Sequence, residues 1–253
     1  QEANENSSQN SQQPVSRVVW LTAKDGVVDS AIQAEFQVIA QQTNCIIAGE
    51  GSGAGLAERI GRCYPYGCPY ANRKPDPSTV GTTKGRFAGP DHLAVPGTIE
   101  CRAPQPKMDD GPIVVNLHAQ WELGKALEYN RIPCPKKYGE DSAENRLCWF
   151  KACLQAIGVW CRGVGLSSIA FPFKIGCRMA GGDWKLYRAA IEKFAEENPE
   201  VKVAIVQHPK DLLDGDARPD SRNVSEKPEP QTSQIAPTEQ VTSEYSPHKD
   251  EEQ

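Results

Sequence analysis

The sequence predicts an α/β layered domain carried between two polar tails. Short β-branched, apolar runs recur along the chain, and several are followed by stretches with helical spacing. Large apolar residues, in turn, are scarce at both ends. Residues 1–16 hold only Glu2 and Glu5 as charges, while 214–253 hold four basic and ten acidic side chains among Pro, Ser, Thr and Gln. Neither stretch can bury enough apolar surface to offset the entropy of ordering it, so both are expected to be disordered, the second as an acidic tail. The domain is thus expected to be residues 17–213. It has 24 basic and 21 acidic side chains, a net of +3 inside a chain whose net charge is -5.

In chain order, Arg17–Thr22 is a β-branched apolar run and the first strand. Ala31–Ala40 is ambiguous between helix and strand, with Phe36–Ala40 the better strand candidate. Gly55–Cys63 starts a helix, its Leu56, Ile60 and Cys63 spaced for one buried face. Residues 64–112 are rich in Pro and Gly and are expected to form a long irregular excursion. Ile113–Leu117 is a strand. Ser142–Ile157 spaces Leu147, Phe150, Leu154 and Ile157 on a helical period, with Ser142 as N-cap. Ser168–Pro172 is a short buried strand, Asp183–Asn198 an amphipathic helix capped by Asp183, and Val201–Val206 a final strand.

Several function classes fall away on composition. No run of eighteen apolar residues occurs in the 253, so a membrane-spanning helix is not expected. No signal peptide is visible at the start. Nine scattered cysteines favour reduced thiols, and with them a cytoplasmic or nuclear location. A net of +3 suits a small anionic ligand better than duplex nucleic acid, which asks for a dense basic stripe. Cys45, Cys63, Cys68 and Cys101 are spaced too widely for a zinc knuckle, so no metal is expected. His118 reads as a satisfied or solvent-facing strand histidine, and Trp121 either stacks on a ligand or is a core or rim tryptophan. The chain begins and ends with Gln, which fits release from a larger, viral polyprotein.

Two loops carry the candidate chemistry. Asn44–Leu56 alternates Gly49, Gly51, Gly53 and Gly55 between a strand and a helix start, where backbone N–H groups can approach a phosphate. Gly49-x-Gly51 also meets a loose dinucleotide pattern, but the acidic residue expected about twenty positions on is missing. Ile175–Trp184 is a second glycine-rich strand-to-helix loop. Two such loops facing each other across strand ends suit a diphosphate.

With these loops, Phe36–Leu56, Ile113–Gln120 and Ser168–Trp184 resemble three ordered blocks of macro domains, most of all the Appr-1-p processing type. The resemblance implies a three-layer α/β/α fold with a mixed central sheet that binds ADP-ribose or its derivatives. It implies no cofactor. By the same resemblance, Asn44 and Gln120 sit at the distal ribose and are the candidate catalytic residues, with Asn44 orienting a water polarised by the bound phosphate. Gly53, Ala54, Gly55 and Leu56 wrap the ribose and diphosphate, Gly176, Cys177, Arg178, Met179 and Ala180 form the opposing loop, and Asp25 accepts from the adenine amino group.

The departures bear on catalysis. Gln41 stands where the family often has His, and Gln cannot act as a general base. Ala180 occupies the position of a glycohydrolase Asp, and Arg178 replaces a loop glycine. The expected function is therefore ADP-ribose binding, with hydrolysis of ADP-ribose 1-phosphate or removal of ADP-ribose from a target as its catalytic form. The alternative is a non-catalytic reader of ADP-ribosylated protein or nucleotide. A monomer is expected.

Overall fold

The computed structural model describes residues 17–49, 53–78, 86–106, 110–129 and 131–224. The N-terminal segment, residues 225–253 and Gly51 lie outside the described residues. The elements are β1 (Val18–Thr22), α1 (Ser30–Glu35), β2 (Val38–Asn44), β3 (Ile47–Ala48), α2 (Leu56–Cys63), β4 (Arg86–Phe87), β5 (Ile99–Arg102), β6 (Ile113–Gln120), α3 (Ala143–Val164), β7 (Ser168–Pro172), α4 (Trp184–Glu197), β8 (Lys202–Gln207) and β9 (Arg222–Asn223).

Among the described residues, seven strands form one sheet in the order β5-β6-β2-β7-β8-β1-β9. The five inner strands are parallel, and β5 runs antiparallel to β6, so the sheet is mixed. Its five inner strands are largely buried on both faces, as a parallel sheet covered by helices on each side requires. Period-two alternation sends Val38, Ile169, Phe171, Val203 and Ile205 into the larger core beneath α3 and α4. Their neighbours Ile39, Ala170, Ala204 and Val206 join the smaller core with Ile32 of α1 and Ile60 of α2. The result is a three-layer α/β/α fold.

Local chemistry sets the element ends. The ambiguous 31–40 stretch splits in two. Asp29 accepts from Ala31 N at 3.0 Å and caps α1, which stops when Phe36 turns extended. Ser142 accepts from Asn145 N, and Gly165 in the left-handed region closes α3. Asp183 accepts from Lys185 N and caps α4.

Two boundaries differ from expectation. Residues 64–112 are not wholly irregular: β5 pairs with β6, placing Ile99 opposite Leu117, and β4 pairs with β3. The polar stretch 214–224, assigned to the tail on composition, also belongs to the domain. Lys174 Nζ binds Asp214 and Asp216, Gln207 Nε2 donates to the Arg218 carbonyl at 2.7 Å, and β9 adds to β1. Polar contacts hold this stretch, and a count of aliphatic residues does not register them. Among the described residues no helix is long and apolar enough to cross a membrane.

Candidate functional site

The strands β6, β2, β7, β8 and β1 lie side by side with their carboxyl ends on one edge. At ~4.8 Å per strand these ends span about 19 Å. A cleft of about 390 Å³ runs along them, where open α/β sheets characteristically bind ligands. All twelve residues singled out from the sequence line it. Asp25 follows β1, Gly176–Ala180 follow β7, Asn44 ends β2, Gln120 ends β6, and Gly53–Leu56 lead into α2.

The two glycine loops meet across the opening. Gly55 has φ 60°, and a Cβ there would stand 3.1 Å from Met179 Sδ. Gly55 is also the N-cap of α2 and offers no side chain to the first-turn N–H groups. In the second loop, Gly176 has φ 71° and its carbonyl accepts from Gly182 N at 3.0 Å. Glycine at 176 and 182 lets the backbone lie against the Tyr187 ring, which would stand 2.5 and 2.7 Å from an added Cβ.

At the β2–β6 end the floor is made of amides. Gln42 Nε2 donates to Gln120 Oε1 at 3.0 Å, and Gln120 Nε2 donates to the Glu122 carbonyl at 3.1 Å. Asn44 is buried and holds its own turn: its Oδ1 accepts from Ile46 N and Ile47 N, while Nδ2 donates to the Tyr70 hydroxyl at 3.0 Å. Beneath it, buried Arg73 donates to the carbonyls of Asn44 and Ile47 at 2.8 and 3.0 Å. Burial pushes the Tyr70 hydroxyl up to about 12, so it stays protonated at neutral pH. Tyr70→Phe removes the partner of Asn44 Nδ2. It should cost about 1 kcal/mol of stability, measured by urea unfolding, and weaken any ligand resting on Asn44 several-fold.

The charged groups of the cleft are already paired. Arg59 binds Asp25 at 2.6 Å at the β1 end, and Arg178 binds Asp211. Lys174 is held by Asp214 and Asp216, which raise its pKa by accepting its hydrogen bonds, Asp214 chiefly. The Cys177 thiol is pushed up to about 12, first by burial and then by the nearby Asp183 charge, so it is a neutral thiol that donates to the Ile175 carbonyl. An anion placed in the cleft would therefore meet backbone N–H groups of the glycine loops before any unpaired charge. Among the described residues no group of three or more His, Cys, Asp or Glu is placed to hold a metal.

No family model matches the sequence, and no curated protein sequence does either. Solved structures do match. The macrodomain of Mycobacterium tuberculosis DarG is 16% identical with a TM-score of 0.44, covering 69% of this chain and 90% of that one. The macrodomain of Thermus aquaticus DarG is 13% identical at 0.44, covering 76% and 99%. A Trypanosoma brucei macrodomain in complex with ADP-ribose is 13% identical at 0.41, covering 76% and 63%. The chain is similar in fold to macrodomains. What its own site residues do rests on their contacts here.

Those contacts change one reading and decide two others. Gln41 does not face the cleft: it is fully buried and donates to Asn116 Oδ1 at 2.7 Å and to the Gly67 carbonyl. Strand alternation points its neighbour Gln42 into the site instead, so Gln41→His would not supply a base there. Trp121 is core, its Nε1 donating to the Ile132 carbonyl. His118 is buried beside Thr43 and Arg73, and its pKa falls to about 3 through burial and then the charge of Arg73. Sequence reasoning missed Gln42, Arg59, Tyr70 and His208, all of which line the cleft. Of these only Gln42 had a signal, its period-two relation to Asn44.

Proposed function

We propose that this chain binds ADP-ribose, free or attached to a protein or nucleotide, and acts as a reader of that group. The observation that carries the reading is a cleft crossing the ends of five parallel strands, with a glycine loop on each side of its middle. A ligand that fills it has an aromatic or polar end near Asp25, a diphosphate between the loops and a second sugar over Asn44 and Gln120. The amide floor supports reading over hydrolysis. Asp25, His208 and Asp211 lie beyond the ends of β1 and β8, two to four strand spacings from Asn44 and Gln120, or about 10–19 Å. Among the described residues no imidazole or carboxylate of the lining is thus within reach of a proton at the distal sugar, where a general acid or base has to stand.

Calorimetric titration of the full chain with ADP-ribose, NAD and AMP tests the ligand. Micromolar ADP-ribose with much weaker NAD is expected, and no heat with ADP-ribose would sink the reading. Incubation with ADP-ribose 1-phosphate tests the reader half: no phosphate above the uncatalysed background is expected, and multiple turnovers would make it an enzyme.

A further inference from the structure

We infer that Arg146 is a positioning residue that fixes the distal wall of the cleft, and so favours ligands continuing past the diphosphate over ligands that end there. The inference deepens the ADP-ribose reading and rests on it for the name of the ligand. Arg146 lies in the first turn of α3, does not line the cleft, and is only 2% exposed. Its Nε and Nη2 fork onto the two carboxylate oxygens of Asp141 at 2.6 Å each. Its remaining donors go to backbone carbonyls: Nη1 to Gly124 at 2.6 Å and Ala180 at 3.3 Å, and Nη2 to Glu122 at 3.1 Å. Asp141 in turn accepts from Trp121 N and Glu122 N.

One planar, charged fork therefore ties the segment after β6 to the end of the loop after β7. Both tied segments belong to the site, since Leu123, Gly124 and Ala180 line the cleft beside Gln120. The fork's geometry matters, because an ammonium carries the same charge but cannot serve a carboxylate and carbonyls on two loops at once. The outer side of the same wall is exposed and crossed by the Lys125 side chain. Gly181 has φ 72°, and a Cβ there would stand 2.9 Å from Lys125 Cγ. The far half of the cleft, over β8 and β1, is built from residues that Arg146 does not touch. A loosened wall should then be felt by the distal sugar and not by the nucleotide half.

The test compares wild type with Arg146→Lys in the full chain, titrated with ADP-ribose, ADP and AMP. ADP-ribose should weaken about tenfold or more, on the scale of one lost charge-assisted hydrogen bond, while ADP and AMP shift less than about twofold. A purely structural role would weaken all three together, and that result, or no change in any, overturns the inference. Should Arg146→Lys fail to fold, Gly181→Ala presses on the wall from outside the buried pair and is held to the same pattern. Hydrogen exchange of the ligand-free protein gives an independent readout. Amides of 121–125 and 180–182 should exchange faster in the variant while those of β8 do not, and equal protection throughout overturns the positioning role. Wild type that ignores ADP-ribose would instead count against the ligand, with the exchange result still deciding the role of Arg146.

Discussion

Gly176→Val is expected to abolish ADP-ribose binding and to lower stability by about 3 kcal/mol, the sum of a strained backbone and a displaced core ring. Position 176 holds φ 71°, a region that a β-branched residue enters only under strain. The added Cβ would also overlap the Gln42 amide oxygen and stand 2.5 Å from Tyr187 Cε1. Tyr187 cannot retreat, because it is buried and its ring centroid lies 4.6 Å from that of Phe150. Gln42 can move only by releasing Gln120, which dismantles the amide floor under the distal sugar. Gly163→Ala is the control: it lies in α3 with open space around a Cβ, so alanine there should be neutral or stabilise by up to about 1 kcal/mol. Calorimetry and urea unfolding on both variants check this. Affinity for ADP-ribose within threefold of wild type in Gly176→Val would show that the loop after β7 is not the diphosphate cradle.

The glycine loops were legible because their chemistry is local. A strand, a glycine run and a helix start follow one another in sequence, and the backbone conformation they need is visible in residue type alone. The same holds for the caps at Ser142 and Asp183 and for the alternating strands of the sheet interior. What was not legible depends on partners far along the chain. β5 has four residues, all half-buried, and becomes a strand only because β6 offers it an edge. Tyr70 and Arg73 come from a stretch without periodicity, yet they hold the turn on which Asn44 sits. Arg146 is the instructive intermediate case. It stands four before Phe150 and seven before Cys153, on the buried face of α3. A charged residue at a core position is a readable anomaly, and it signals a fully paired ion or a functional one. The sequence shows that such a partner must exist; only the fold shows that it is Asp141 and the carbonyls of two cleft loops.

Folding stability is expected to fall by about 1.4 kcal/mol per pH unit below about 6.5 on account of His118 alone. In the folded protein its pKa lies near 3, because burial and then the charges of Arg73 and Arg102 disfavour the imidazolium. In the unfolded chain it returns to about 6.5. The folded state therefore refuses a proton that the unfolded state accepts, and the stability present above pH 6.5 drains away as pH falls towards 3. At pH 5 the loss is about 2 kcal/mol. Neutral His118 has Nδ1 3.0 Å from the Thr43 hydroxyl oxygen and accepts there from Arg73 Nη2 at 3.4 Å. A proton there would turn the Thr43 contact around, break the one from Arg73 and face Arg73 with a like charge, just where Arg73 holds the carbonyls of Asn44 and Ile47. Acid should thus loosen the distal end of the cleft before the domain unfolds as a whole. His118→Asn keeps an acceptor near the Nδ1 position and cannot titrate. It should be about 1–2 kcal/mol less stable than wild type at pH 7.5, with the gap closing or reversing by pH 5. Urea unfolding of both proteins across that range reads the difference, which cancels the carboxylates common to the two. Parallel pH profiles would mean that the buried ring is protonated without penalty, and that Arg73 is not held against it.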